Sequence, residues 1–287
     1  ELRIGGLTNI ERIENIYRES NIILIVRDDL KDLIKERFNN YTVNPDEIPK
    51  GVCLNAAAIF EESNLNTLNK EKSLSNENSL ISFYLDKSFP LQEFRKKIIS
   101  SSDISIKCDI KIIKYIWDLF KFSSEYILKD FNYFNYNNNN KSHHSLIRVN
   151  EDKIHIGNNC IIKAGVILDA TNGPIILDDE VIINNGAIIE GPVYLGKNTS
   201  ISSLSVIKSN TIIGPKCKIG GEVICCNILG YSNKAHEGFL GHSYVGEWVN
   251  IGAGTNNSNL KNNYSNIKMS IEDNIIDSKL QFLGSLI

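Results

Sequence analysis

No apolar run in these 287 residues reaches the roughly 18 that a membrane-spanning helix requires, and no charged-then-apolar leader pattern opens the chain. A basic stripe is also missing: 31 Lys and Arg stand against 34 Asp and Glu, interspersed, for a net charge of −3. That argues against a nucleic-acid-binding surface and leaves any anionic substrate to be met by local charge. The six cysteines, at 53, 108, 160, 217, 225 and 226, include no Cys-x-x-Cys spacing, and the adjacent Cys225-Cys226 pair suits neither a common zinc site nor a usual disulfide. They are expected to be reduced, in a soluble cytoplasmic protein. A hydrophobic content of 42% suffices for a buried core, and the length has room for two domains.

Eight aliphatic residues follow at intervals of six: Leu177, Ile183, Ile189, Leu195, Ile201, Ile207, Ile213 and Ile219. Period six fits neither an amphipathic helix nor a half-buried strand, so the repeat is a supersecondary unit, the hexad of a β-helix. Each hexad supplies one short strand and one turn, and three make a triangular coil of about 18 residues with the aliphatic residue on the axis. The register extends upstream through Ile156, Ile162 and Leu168, with three extra residues near Thr171-Asn172-Gly173-Pro174 expected as a corner loop. Gly157, Gly165, Gly196, Gly214 and Gly220 fall at turns or close approaches. Between 221 and 244 the spacing is interrupted, and it resumes at Val245-Gly246-Glu247-Trp248-Val249-Asn250-Ile251-Gly252. A solenoid that breaks its repeat makes a loop with a task, and this stretch holds His236 and His242.

Before about residue 130 there are no hexads. A helical pattern over 10–18, a buried strand at Ile22, Ile23, Leu24 and Ile25, and helices over 91–99 and 110–122 predict an α/β domain. The stretch 131–144, with four consecutive asparagines at 137–140, reads as a linker in which His143 and His144 are solvated. The chain begins at Glu1 in patterned sequence and closes on Leu283-Gly284-Ser285-Leu286-Ile287, which starts another hexad. A fragment lacking both termini is expected.

The segment Asn233-Lys234-Ala235-His236-Glu237-Gly238-Phe239-Leu240-Gly241-His242-Ser243 and, beyond it, Asn250-Ile251-Gly252-Ala253-Gly254-Thr255 resemble the active-site region of the bifunctional N-acetylglucosamine-1-phosphate uridyltransferase / glucosamine-1-phosphate acetyltransferase family. Gly-Phe-Leu-Gly-His-Ser, Gly-Glu-Trp-Val-Asn and Ser258-Asn259-Leu260-Lys261-Asn262-Asn263-Tyr264 are similar to an alternative, Bacteroidetes-type branch. Its members carry names such as sugar nucleotidyltransferase and glucose-1-phosphate thymidylyltransferase. The likeness reaches Glu1-Leu2-Arg3-Ile4-Gly5-Gly6-Leu7-Thr8 and Trp117-Asp118-Leu119-Phe120. It implies an incomplete nucleotidyltransferase-like α/β domain over 1–130, a linker over 131–148, and a left-handed parallel β-helix of hexapeptide repeats over 149–287. The family's glycine-rich phosphate loop is not in this sequence.

Acetyl transfer from coenzyme A to a sugar amine needs a base for the attacking nitrogen, and imidazole, with an ordinary pKa near 6.5, suits that task. The resemblance implies His236 as this base, because it stands 14 residues before Asn250 as the family's catalytic histidine stands before the same asparagine. It implies Asn250 and Asn259 as substrate contacts and Gly252, Ala253 and Thr255 as cofactor contacts, and assigns His242 nothing. Ile224 replaces the family's phosphate-holding lysine, Phe239 its pocket tyrosine and Leu260 the tyrosine after the pocket asparagine. Lys234, Lys261 and Lys268 are therefore the nearest cations for a sugar phosphate. The implied small molecules are a sugar phosphate, a nucleoside triphosphate and acetyl-CoA, with Mg2+ for the nucleotidyl step, and the implied assembly is a homotrimer.

Two other readings remain open. One is a nucleotidyltransferase with a non-catalytic, trimerising β-helix, favoured by the departures at Ile224, Phe239 and Leu260. The other is a γ-type carbonic anhydrase, for which His155, His236 and His242 would be the zinc triad.

Overall fold

The computed structural model describes residues 2–18, 20–64, 68, 73–76, 79–100, 105–134 and 141–287. The chain divides into two compact units, Asn9–Lys114 on the one hand and Glu1–Thr8 with Tyr115–Ile287 on the other. The division falls elsewhere than the expected boundary at 130, because the helix Asp118–Asp130 and the opening strands group with the solenoid.

In the Asn9–Lys114 unit, a mixed sheet runs in the order Ser105–Lys107, Ser73–Asn76, Ser79–Leu85, Gly51–Leu54. Ile16 of helix Asn9–Ile16 packs with Phe60, Leu68, Leu74 and Ile81, while Phe94 of helix Leu91–Ser100 packs with Ile48, Phe83 and Leu85. The apolar run at 22–25 is not a buried strand: only Ile23–Leu24 pairs, with Thr42–Val43, and all four side chains are half-buried. The helix expected over 110–122 starts only at Asp118. Residues 111–113 are extended against 57–59 instead, Ile59 N donating to Lys111 O at 2.8 Å and Ile113 N to Ala57 O at 2.9 Å. Strand pairing there overrides the helical spacing of the isoleucines.

The other unit is a parallel β-helix of three six-stranded sheets, each coil giving one strand to each. All eight residues of the six-spaced run are 0% exposed, in one axial core with Ile162 and Leu168. Burying each such side chain contributes about 1.5–3 kcal/mol. From 141 on, the linker expected over 131–148 is already solenoid: Lys141–Ser142 and Ile147–Val149 are the first strands of the first and second sheets. His143 and His144 are exposed between them, and the asparagines at 137–140 lie outside the described residues. Residues 170–174 form the expected loop at a corner between Ile167–Asp169 and Ile175–Leu177. Ile176, Tyr194 and Ile212, on the outer face of the third sheet, are covered by Ile127 of helix Asp118–Asp130 with Phe131 and Phe134. Asn227 Nδ2 donates to Arg3 O at 2.8 Å and so ties the opening segment to the same face.

The interruption at 221–244 is a feature of spacing, not of the solenoid. Strands Glu222–Ile224, Asn227–Gly230, Asn233–Lys234, Phe239–Gly241 and Tyr244–Glu247 continue all three sheets. The irregularity lies at the corners. Ile201 pairs with Ile219, 18 residues on, whereas Ile219 pairs with Lys234, only 15 on. The corner between inward Ile219 and inward Val223 is two residues shorter than that between Ile201 and Ile207. The chain's end also stacks, with Tyr244 N donating to Ser285 O at 2.9 Å and Gly246 N to Ile287 O at 2.8 Å.

Candidate active site

Where the first sheet turns into the second, successive coils place a left-handed residue one above another: Gly165, Gly186, Leu204, Gly221, Gly238 and Gly254. His236 lies two residues before Gly238, on the corner directly above the shortened one, and its side chain is exposed. The shortened corner leaves room that two side chains cross. Ser202 Oγ reaches past Gly220 to donate to Ala235 O at 2.9 Å, and Lys234 Nζ donates to Gly220 O at 2.9 Å and to His236 O at 3.0 Å. Gly220 permits this, since any Cβ there would collide with Ala235 O.

Above His236, the corner of the Asn-Ile-Gly-Ala-Gly-Thr motif stacks in register. Asn250 bridges Asn233 in parallel, Gly254 N donates to Glu237 O at 3.2 Å, and Phe239 N donates to Asn256 Oδ1 at 2.7 Å. Asn250, Gly252, Ala253 and Thr255 are all exposed. The fold thus brings the expected base and the expected cofactor-binding residues to adjacent corners of one edge.

Asn259 occupies a different place. A Cβ on Gly241 would lie 2.5 Å from the Phe239 ring and 2.6 Å from Asn259 Nδ2, so ring and amide cover the outer face of the second sheet together. Asn259 Nδ2 lies 2.9 Å from His242 Nδ1, and the imidazole stacks on Phe282 with centroids 5.1 Å apart. With the amide donating, His242 is neutral with its proton on Nε2. Burial, which pushes its pKa below the ordinary value, favours the same form. His242, to which the resemblance assigned nothing, therefore fixes the orientation of the expected pocket asparagine.

The three candidate cations are distributed differently from the sequence expectation. Lys234 points into the axial core and is 2% exposed, its ammonium committed to backbone carbonyls. Burial lowers its pKa, with Glu237 opposing. Lys261 and Lys268 are exposed on the excursion that precedes Leu283, Lys261 Nζ donating to Asn266 O at 3.0 Å and Lys268 opening the hairpin Lys268–Ile271 with Asn274–Asp277. His155 is buried against Phe134, and among the described residues no group of three His, Cys, Asp or Glu side chains gathers as a metal set. Sequence reasoning missed Ser202, Asn256 and Asn257; the last accepts from Gly241 N at 2.8 Å through Oδ1. The one signal for the shortened corner that Ser202 spans is the contraction of the inward spacing between Ile219 and Val223.

Residues 1–138 match the model of the sugar nucleotidyl transferase family. The chain is similar to the bifunctional protein GlmU of Thermodesulfovibrio yellowstonii, 34% identical over 137 residues that cover 47% of this chain and 28% of that protein. It is similar to that of Wigglesworthia glossinidia brevipalpis, 32% identical over 43% of this chain and 25% of the relative. For Picosynechococcus sp. the figures are 33% identity over 37% and 24%. The matched segments thus span about a quarter of the length of these relatives.

Proposed function

We propose that this chain, whose residues 1–138 match the sugar nucleotidyl transferase family model and which is similar to bifunctional GlmU proteins, carries a β-helix that catalyses acetyl-CoA-dependent N-acetylation of glucosamine 1-phosphate or a related amino-sugar phosphate. The observation that carries the reading is the stacking of the His236 corner against the Gly252–Thr255 corner, with Glu237 O bonded to Gly254 N. His236 accepts a proton from the sugar amine as its nitrogen attacks the thioester carbonyl; the new C–N bond forms, the C–S bond breaks, and the coenzyme leaves as thiolate and is protonated. Gly252, Ala253 and Thr255 line the approach of the acetyl group, while Asn250 and Asn259 contact the sugar. Of the three lysines, the exposed Lys261 and Lys268 would meet its phosphate, and the ammonium of Lys234, engaged inside, would not.

Nucleotidyl transfer to a sugar 1-phosphate is the companion activity that the family of residues 1–138 supports. Mg2+ would serve that step, but among the described residues no group of three His, Cys, Asp or Glu side chains gathers to hold it. A homotrimer is the proposed assembly. In its favour, aliphatic side chains stand outward on the regular coils: Ile147 is 52%, Ile161 40% and Leu204 80% exposed. A monomeric mass by sedimentation would refute it.

The decisive measurement is acetyl-CoA turnover with glucosamine 1-phosphate by the full-length protein and its His236→Ala variant. Loss of at least about 100-fold in kcat is expected. An unchanged rate would rule out His236 as the base, and absence of turnover by the unsubstituted protein would leave the β-helix as a non-catalytic assembly element.

A further inference from the structure

We infer that Lys234 is a positioning residue for His236, fastening the corner that carries it to the shortened corner beneath. The inference rests on the reading of His236 as the base. On the first sheet the inward column runs Ile162, Ile183, Ile201, Ile219 and then Lys234, paired position by position. Ile251 belongs to the next coil and packs against the same core. A lysine therefore stands where every neighbouring coil has isoleucine. An ammonium in an apolar stack is destabilising unless its donors are met, and an isoleucine would fill the column without that cost.

Two of the three ammonium donors are met, by carbonyls with distinct addresses. Gly220 O belongs to the shortened corner, and His236 O to the residue proposed as base, at 2.9 and 3.0 Å. Lys234 thus spans the two corners and holds the backbone of His236 from inside. Ser202 Oγ, bonded to Ala235 O at 2.9 Å, grips the same corner from two coils below. An aliphatic residue at 234 would pack the axis and tie neither carbonyl, leaving His236 on a corner held by fewer bonds. Corner rigidity is worth keeping here because a base displaced by about 1 Å loses on the order of 100-fold in rate.

The test is Lys234→Met in the full-length protein, since methionine continues the apolar column at similar length. The melting temperature is expected to hold or rise, kcat for acetyl transfer to fall about tenfold, and KM for glucosamine 1-phosphate to move less than about twofold. Amide exchange at 236–238 is expected to quicken at least about tenfold. Unchanged kcat and exchange, or a fall in kcat that merely follows a fall in melting temperature, would overturn the inference. If Lys234→Met does not fold, Lys234→Gln, which keeps a neutral donor, reports the same split between rate and stability. His236→Ala run in parallel separates the two ideas: if it leaves acetylation intact, the reading of the base fails alone. The exchange measurement then still decides whether Lys234 orders the corner.

Discussion

Between Leu177 and Ile219 each coil repeats the last, with aliphatic residue above aliphatic residue and corners of constant length; from Gly220 to Thr255 the same sheets continue while a corner shortens and a lysine enters the axis. Regular coils satisfy every hexad with an aliphatic residue and have nothing left to expose but their outer faces. The irregular coils give up axial burial and gain an edge on which His236, Asn250 and Thr255 are exposed in adjacent layers. Stability and chemistry are thus separated along one solenoid, not between different folds.

The sharpest way to break this comparison is to make the same cavity in both regions. Ile201, fully buried in the regular coils, should lose about 2–5 kcal/mol as Ile201→Ala. Ile251 is half-buried on the corresponding side of the irregular end, so Ile251→Ala should lose less than half as much. Denaturant midpoints of the two variants decide it, and equal losses would mean that the irregular coils carry the same packing load.

A smaller effect tests what the regular coils do with their outer faces. Leu204 adopts φ +60 in a column otherwise made of glycines, and its Cδ2 would lie 2.8 Å from a Cβ on Gly186 beneath it. A bulky residue in the left-handed region, 80% exposed, suits a surface that another copy of the chain covers. Leu204→Asp should weaken association of the proposed trimer by at least about tenfold in sedimentation while leaving the circular dichroism spectrum unchanged. Unaltered association would remove this edge from the interface.

The regular coils were legible in the sequence because hexad spacing is local: Leu177 to Ile219 needs no partner beyond its own period. The corner at Gly220 was less so, since the spacing of Ile219 and Val223 means a shortened turn only once Val223 is known to point inward. Lys234 occupied a hexad position in plain view, but its residue type suggested a phosphate contact at the surface; only the two carbonyls reveal why it turns in. In the Asn9–Lys114 unit, strands pair across long separations, as Ser105–Lys107 does with Ser73–Asn76, and no local period announces that. The same holds for 110–113, where pairing with 57–59 defeated a helical pattern. His236 and Asn259 were singled out by motif resemblance alone, and the bond from Asn259 to His242, 17 positions earlier, had no signal in the sequence.

The smallest expected effect concerns that bond. His242, at the irregular end, and His155, under Phe134 in the regular coils, both have pKa values lowered by burial, with Asp178 and Asp179 opposing the shift at His155. A depressed histidine pKa means that the unfolded chain takes up the proton first. Stability is therefore complete above the ordinary value near 6.5 and declines as pH falls below it toward the folded value, after which it levels off. Replacing His242 with glutamine keeps an acceptor for Asn259 and removes one titrating group, so the decline between about pH 7.5 and pH 5.5 should become shallower. His155→Gln should do the same through the regular coils. Urea midpoints measured across that window would show whether the two histidines contribute separately. If His242→Gln left the slope untouched while His155→Gln flattened it, the pH response would belong to the regular coils alone, and the neutral imidazole beside Asn259 would owe nothing to its burial.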